Sequence, residues 1–198
     1  MPSYLLLNKP KGFVTPTRGG SAKRTALDFI PFSLRGEQSW HTVGLLDADS
    51  TGLMLLTDDA ELARQLDHPK LGVLKEYRVL CAGLASDEQL ARLREGMYLV
   101  NPAADGSKTT QRAAMDAVRI IKKHVDRARG DRTQLSVTLR EGEPREIRRM
   151  LARVGLKLRE LERVALGPLR VAGLKPGATK LLGKKDVERL REASLAVR

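Results

Sequence analysis

The sequence contains few of the residues on which common metal and disulfide sites depend. Cys81 is the only cysteine among 198 residues, which excludes an internal disulfide and argues against a cysteine-rich zinc site. The three histidines are His41, His68 and His124, and their separation does not match a ligand pattern such as HExxH. These residue types therefore predict no metal site.

Several catalytic and nucleotide-binding motifs are also absent from the sequence. It has no GxxxxGK(S/T) or GxGxxG phosphate loop, and it has no GxSxG nucleophile elbow. Nucleotide-binding and common hydrolase functions lose support together.

Long apolar runs are missing as well. No stretch approaches the roughly 20 apolar residues of a membrane span. The start of the chain has no basic region followed by a long apolar segment, as a secretion signal would. We predict a cytoplasmic protein with no membrane partner.

Aromatic residues are scarce, whereas positive charge is abundant. Three Phe, three Tyr and one Trp are too few for a broad stacking platform that coats single-stranded nucleic acid. Lys and Arg total 36 against 24 acidic residues, a net charge of +12. This excess favours a polyanionic partner, because each contacted phosphate releases condensed counterions. A generally basic surface is the alternative, and charge alone does not indicate catalysis.

Strand and helix patterns are mixed without a regular βαβ order, which predicts an α+β fold. The length allows one domain over residues 1–198 or two closely packed subdomains. Apolar runs or period-two alternation predict strands at Tyr4–Leu7, Gly52–Thr57, Glu76–Ala82 and Thr133–Leu139. In the third of these, Tyr77 and Cys81 share one side.

Capping residues and helical spacing predict the helices. They are expected from the N-cap Asp58 to about His68, from the capping box at Ser86 through Met97, over Glu143–Val154, and from about Lys184. One or two helical turns are expected over Thr25–Ile30. Residues 101–132 are the least readable stretch, and their basic half, Lys122–Arg132, is interpreted as a mobile loop.

Asp47 is the residue best placed for chemistry. It follows the apolar approach Val43–Leu46 and precedes an apolar strand that begins at Gly52. A carboxylate in such a loop can be a positioned acid, base or nucleophile. It can equally be a turn aspartate that accepts backbone N–H bonds. Paired carboxylates at Asp47 and Asp49 would allow glycoside chemistry, but the high basic charge does not suit neutral sugars and makes this a distant alternative.

The segment Val43–Leu53 resembles the signature loop of the RsuA-type family of ribosomal RNA pseudouridine synthases. Four further segments match that family in the same order. They are Leu7–Gly12 (LNKPKG), Lys75–Val79 (KEYRV), Glu141–Met150 (EGEPREIRRM) and Gly167–Leu169 (GPL). Each match is weak alone, but five in order across nearly the whole chain are a specific signal.

The resemblance implies a reaction and three catalytic residues. Asp47 corresponds to the essential aspartate that attacks or deprotonates the ribose, and Tyr77 to the tyrosine that stacks on the target base. Arg148 corresponds to the basic residue that pairs with the aspartate and keeps it ionised. From periodicity alone, Tyr77 is an ordinary inward strand residue and Arg148 belongs to a solvated helix face. Isomerisation within one nucleotide requires no cofactor and no metal.

The resemblance also implies a pseudouridine synthase fold, in which a mixed, mainly antiparallel sheet is flanked by helices. A basic cleft is expected to have Asp47 at its floor, with the Tyr77 and Arg148 side chains close to it. Residues expected to contact RNA are Lys9, Lys11, Arg145, Arg149 and Arg153. Lys9 and Lys11 could instead be simple turn lysines, and the three arginines could be a solvated helix face.

The chain departs from the family pattern at three positions. Leu45 stands at the base-flipping position, where the family has an arginine that fills the gap left by the flipped nucleotide. Leucine can still act as an apolar wedge, but it offers no phosphate contact. Glu143 and Glu146 replace residues that are commonly Arg and Gln. The alternative function is therefore a catalytically altered or inactive factor that binds rRNA or assists ribosome assembly.

The first family motif lies close to Met1, so the expectation is a single catalytic domain without the S4 domain that precedes it in most relatives. This favours 23S over 16S rRNA as the substrate. The expected partner is ribosomal RNA or an assembling ribosomal particle, with no small-molecule cofactor, and the protein is expected to be a monomer. Its RNA affinity is expected to depend strongly on salt.

Overall fold

A computed structural model describes residues 2–16, 24–36, 38–68, 73–102, 108–140 and 145–195. The chain forms two compact units. Unit 1 contains Met1–Glu76, Arg140–Gly142 and Glu162–Arg198, and unit 2 contains Tyr77–Leu139 and Glu143–Leu161. Each is described by itself below.

The regular elements are short, as the sequence pattern predicts. The strands are β1 (Tyr4–Lys9), β2 (His41–Val43), β3 (Thr51–Thr57), β4 (Lys75–Ala82), β5 (Met97–Pro102), β6 (Lys108–Ala113), β7 (Ala117–His124), β8 (Arg132–Leu139), β9 (Lys157–Leu166), β10 (Leu169–Arg170) and β11 (Thr179–Leu181). The helices are α1 (Ala60–Asp67), α2 (Asp87–Glu95), α3 (Glu146–Arg153) and α4 (Lys184–Leu195), with 3₁₀ turns at Ala26–Phe29 and Phe32–Leu34.

Unit 1 is built on the strand order β11-β1-β3-β9, with β2 paired to β3 and β10 paired to β9. The β3–β9 pairing is parallel, whereas β1 pairs antiparallel with both of its neighbours. Its apolar core includes Leu53 and Leu55 of β3, Leu62 and Leu66 of α1, and Leu190 of α4. The predicted α+β fold with a mixed, mainly antiparallel sheet is confirmed.

A polar cluster fixes α1 at one end of unit 1. Asp59 is the N-cap, and its Oδ1 accepts from the Leu62 N–H at 3.0 Å. Its Oδ2 accepts from the Tyr4 hydroxyl and from the Arg191 guanidinium, each at 2.7 Å. The helix therefore begins one residue later than predicted, because Asp59 and not Asp58 accepts the capping hydrogen bond.

Unit 2 contains the strand order β4-β8-β7, a separate β5–β6 pair, and helices α2 and α3. In β4 the side chains of Tyr77, Val79 and Cys81 are buried, as alternation predicts. Ser86 and Gln89 form the predicted capping box of α2. The apolar face of α3 is buried at Ile147, Met150 and Leu151. Glu143, expected near the start of α3, lies outside the described residues.

Two predictions about unit 2 are wrong. Gly96, with φ +87°, ends α2, so Met97 begins a strand and does not continue the helix. The basic segment Lys122–Arg132 is not a loop throughout, because β7 continues to His124 and pairs antiparallel with β8. The turn between them is held by Asp126, whose carboxylate accepts from the N–H groups of Ala128 and Arg129.

Within the described ranges, no helix is long and apolar enough to cross a membrane.

Candidate active site

The loop between β2 and β3 presents Asp47 in a fixed backbone. Its residues differ in burial: Leu45 is 56% exposed, Leu46 is buried, Asp47 is half-buried, and Ala48 and Asp49 are exposed. The buried Leu46 anchors the loop on the core of unit 1. The Asp47 carboxylate therefore lies at the surface of the unit, partly shielded from water.

Hydrogen bonds to the main chain hold this loop at alternate residues. The Thr15 hydroxyl donates to the Leu46 carbonyl and accepts from the Leu46 N–H, both at 2.9 Å. The Gly12 N–H donates to the Ala48 carbonyl at 2.7 Å. Because Leu46 and Ala48 flank Asp47, the segment around Gly12 and Thr15 fixes the main chain on both sides of the carboxylate.

Gly44 anchors the beginning of the loop. It adopts φ +73°, a left-handed conformation that favours glycine. Its N–H donates to Oδ1 of Asp67 at 2.6 Å, and its carbonyl accepts from Nη2 of Arg163 at 3.2 Å. Burial raises the pKa of Asp67, against the opposing effect of the Gly44 N–H and the nearby Lys75 and Arg163 cations.

Lys9 is fully buried and lies near the Asp47 and Asp49 carboxylates of the loop. Its Nζ donates to the Phe13 carbonyl at 2.7 Å and to the Pro10 carbonyl at 3.1 Å. Burial and the Arg163 guanidinium lower the pKa of Lys9 to about 8, although the Asp49 and Asp47 carboxylates raise it. The assignment of Lys9 to RNA backbone contact is contradicted by this burial, because the ammonium faces the protein interior. Lys11, two residues on, is exposed.

Tyr77 and Arg148, the other predicted catalytic residues, belong to unit 2. Tyr77 is 6% exposed in β4, and Arg148 is half-buried on α3, as its place beside the apolar stripe predicts. Their approach to Asp47 stays a prediction, as does the basic cleft.

The remaining predicted RNA contacts lie on or beside α3. Arg145 precedes the helix, is exposed, and has φ 57°. Arg149 donates through Nη1 to Oδ1 of Asn101 and through Nη2 to the Val100 carbonyl, both at 2.6 Å. The exposed Arg153 donates to the Tyr98 carbonyl at 3.1 Å. The last two arginines thus also attach α3 to β5.

Three residues that hold the loop are not predicted from the sequence: Arg163, Asp67 and Thr15. Arg163 leaves a signal, because alternation in β9 places it on the inward side between Leu161 and Ala165, where an arginine is unusual. Thr15 and Asp67 leave no comparable pattern, because their roles depend on contacts with residues far along the chain. Among the described residues, no group of three His, Cys, Asp or Glu could hold a metal ion.

A half-buried carboxylate on a fixed loop can act as a nucleophile or base at a reacting group brought to it. The fold that carries this loop is that of an RNA-modifying isomerase. The chain belongs to the RNA pseudouridylate synthase family, whose model matches residues 3–153. The resemblance inferred from the motifs is confirmed, and the enzyme class is RNA pseudouridine synthase.

Individual relatives agree with this family. An uncharacterized RNA pseudouridine synthase of Mycobacterium tuberculosis is 34% identical over 190 residues, which cover 96% of this chain and 69% of that protein. Ribosomal large subunit pseudouridine synthase B of Bacillus subtilis is 31% identical over 193 residues, covering 96% of this chain and 72% of that protein. A crystal structure of a pseudouridylate synthase matches with a TM-score of 0.75 at 27% identity, covering 96% of this chain and 74% of that chain.

Proposed function

We propose that this protein isomerises a specific uridine of ribosomal RNA to pseudouridine, with Asp47 as the residue that attacks or deprotonates the ribose. The observation that carries the proposal is the Asp47 loop, in which the backbone on both sides of a half-buried carboxylate is hydrogen-bonded. A fixed carboxylate does not need to reorganise when the substrate arrives, which favours the reaction.

The reaction is balanced within one nucleotide. The bond between N1 of uracil and C1′ of the ribose breaks, and a bond between C5 and C1′ forms. The proton at C5 leaves and N1 takes up a proton, so the product is an isomer of the substrate. Asp47 provides the group that acts on the ribose. Tyr77 is proposed to stack on the base and Arg148 to pair with the Asp47 carboxylate.

The target uridine must leave its stack to reach Asp47, which costs a few kcal/mol in a paired strand. Leu45 is two residues before Asp47 and exposes 56% of its surface. We propose that it enters the space left by the flipped nucleotide as an apolar wedge. It cannot donate a hydrogen bond to a phosphate, so RNA contact must come from other residues such as Lys11, Arg145, Arg149 and Arg153.

Large-subunit RNA is the proposed substrate. The Bacillus subtilis relative is described as a large-subunit enzyme, and it is similar over 96% of this chain. We propose that 23S rRNA, or a particle that contains it, is modified in preference to 16S rRNA.

The test is release of tritium from rRNA labelled at uridine C5, because the label leaves only when the new C–C bond has formed. Wild type, Asp47→Asn and Asp49→Asn are compared on unmodified 23S and 16S rRNA and on ribosomal particles. Asp49→Asn is the matched control, since it removes the same charge from an exposed position in the same loop.

We expect release by wild type and by Asp49→Asn and none by Asp47→Asn, with 23S rRNA the better substrate. Equal loss in both variants would mean that the reaction requires Asp49 as well as Asp47. No release by wild type on any substrate, with RNA binding retained, would support the alternative of an rRNA-binding or assembly factor, and Leu45→Arg would then be the first variant to restore activity.

A further inference from the structure

Arg163 is the largest fully buried side chain among the described residues. Its position in β9 faces the core of unit 1, where an arginine is rarely found without several hydrogen-bond acceptors. Nε donates to the Leu53 carbonyl at 2.6 Å, and Nη2 donates to the carbonyls of Gly44 at 3.2 Å and Val43 at 3.4 Å.

These acceptors lie on the two sides of the Asp47 loop. Val43 ends β2, Gly44 is the first residue of the loop, and Leu53 lies in β3 just after it. One planar guanidinium therefore connects the point where the chain leaves β2 with the point where it has entered β3. The short loop between these points has little freedom to move.

The glycines at the two ends of the loop lie against β9 at Arg163. A Cβ on Gly44 would lie 2.5 Å from Nη1 of Arg163, and a Cβ on Gly52 would lie 2.7 Å from its backbone nitrogen. Gly44 has no room for a side chain because of the Arg163 guanidinium, and Gly52 has none because of the backbone of β9. The guanidinium and its strand thus pack directly against both ends of the loop.

Stability alone does not explain an arginine here. Among the described residues, Nη1 has no hydrogen-bond partner, and a buried donor without a partner is destabilising. The guanidinium also lies near the buried cation of Lys9, whose pKa it helps to lower. A well-packed apolar residue would avoid both penalties. What it could not do is bind carbonyls from two strands at once, which needs the rigid fork of an arginine.

We propose that Arg163 is a positioning residue for the isomerisation: its guanidinium fixes the backbone on both sides of Asp47 and so holds the carboxylate where the ribose arrives. This inference rests on the proposed function. Arg163 acts through the loop and does not touch RNA, because its side chain is fully buried.

The experiment compares wild type with Arg163→Met, Arg163→Lys and the control Arg191→Gln. Arg191 also donates from a guanidinium within unit 1, but to Asp59 and Tyr4 at the cap of α1. Three quantities are measured: the single-turnover rate of tritium release from labelled rRNA, the Kd for the same RNA by filter binding, and amide hydrogen exchange of residues 44–50.

We expect Arg163→Met to lower the single-turnover rate about 100-fold, the effect of a small misplacement of a reacting group, with the Kd unchanged. The rate of Arg163→Lys should lie between those of Arg163→Met and wild type, because one amine cannot reproduce the hydrogen bonds of the planar guanidinium. Exchange of residues 44–50 should become faster in both variants. Arg191→Gln should lower the melting temperature while keeping the rate and the loop exchange of wild type.

A folded Arg163→Lys protein with the wild-type rate and wild-type loop exchange overturns the proposal, even if Arg163→Met does not fold. So does a loss of RNA affinity in proportion to the loss of rate. If wild type itself releases no tritium, the proposed function fails. Hydrogen exchange then shows separately whether Arg163 holds the loop.

Discussion

Gly52 of β3 and Arg163 of β9 are register partners in a parallel strand pair. They approach so closely that a Cβ on Gly52 would lie 2.7 Å from the backbone nitrogen of Arg163 and nearer still to its carbonyl oxygen. Gly52 also has φ +107°, a conformation that residues with a side chain rarely adopt. The strand that follows the Asp47 loop can therefore dock on β9 only through a glycine.

Gly52→Ala should lower the free energy of unfolding by about 2–5 kcal/mol, from backbone strain together with the displacement of a packed strand. Urea denaturation measures the change. Gly173→Ala is the matched control, because Gly173 has φ +79° but nothing within 4 Å of the added Cβ. Its free energy of unfolding should fall only by the cost of the strained backbone, about 1–2 kcal/mol. Equal losses in the two variants would mean that the contact with Arg163 is unimportant.

Asp67→Asn should change how stability depends on pH. Burial raises the pKa of Asp67 in the folded protein above its ordinary 3.8, so the folded state holds this proton more tightly than the unfolded chain does. The contribution of Asp67 to stability is therefore greatest below pH 3.8 and is lost as the pH rises through its pKa in the folded protein. Asparagine keeps an oxygen that can accept from the Gly44 N–H but does not titrate.

Urea denaturation of wild type and Asp67→Asn between pH 3 and 7 tests this directly. Relative to the variant, wild type should lose stability as pH rises through this range. A constant difference between the two proteins would show that Asp67 does not titrate differently in the folded and unfolded states.

Lys9→Met should remove a pH dependence of the opposite sign. Burial lowers the pKa of Lys9 from 10.5 to about 8, so between these values the unfolded chain holds a proton that the folded protein has released. Wild type should therefore gain about 3 kcal/mol relative to Lys9→Met as pH rises from 8 to 10.5. Urea unfolding of both proteins is monitored by circular dichroism. A difference in unfolding free energy that stays constant from pH 8 to 10.5 would contradict the burial of the ammonium.

Arg153→Ala should weaken RNA binding and reduce its salt dependence. If Arg153 contacts a phosphate, the slope of log K against log salt should fall by about 1. Arg64→Ala removes the same charge from an exposed ion pair with Glu61 in unit 1 and should leave the slope unchanged. If Arg153→Ala keeps the wild-type slope, Arg153 does not contact a phosphate, and its role is limited to the hydrogen bond with the Tyr98 carbonyl.

Much of the fold could be predicted from local patterns. Helix α3 and strands β3, β4 and β8 have regular apolar spacing, because each buries one continuous face. Strands β6 and β7 could not be predicted, since most of their side chains are exposed and leave no alternation. Met97 continued the helical spacing of Leu90 and Leu93, and only the left-handed conformation of Gly96 ends that helix.

The candidate site was predictable only in part. The position of Asp47 follows from the ordered motifs. The burial of Lys9 does not, because a lysine next to Pro10 is typical of an exposed turn, and the carbonyls that bind its ammonium come from a local bend of the chain. Arg163 is 116 residues from Asp47 by their numbering, and its contacts exist only after β9 has paired with β3.

Cys81 gives the protein an internal reporter of local unfolding. It is fully buried in unit 2, and burial raises the pKa of its thiol to about 11. Because thiolate is the reactive form, the native protein should resist maleimide at neutral pH. As Cys81 is the only cysteine in the chain, any labelling that does occur measures how often β4 becomes accessible, without an engineered probe. The same shielding should allow the enzyme to keep its activity under oxidising conditions that inactivate proteins with exposed thiols.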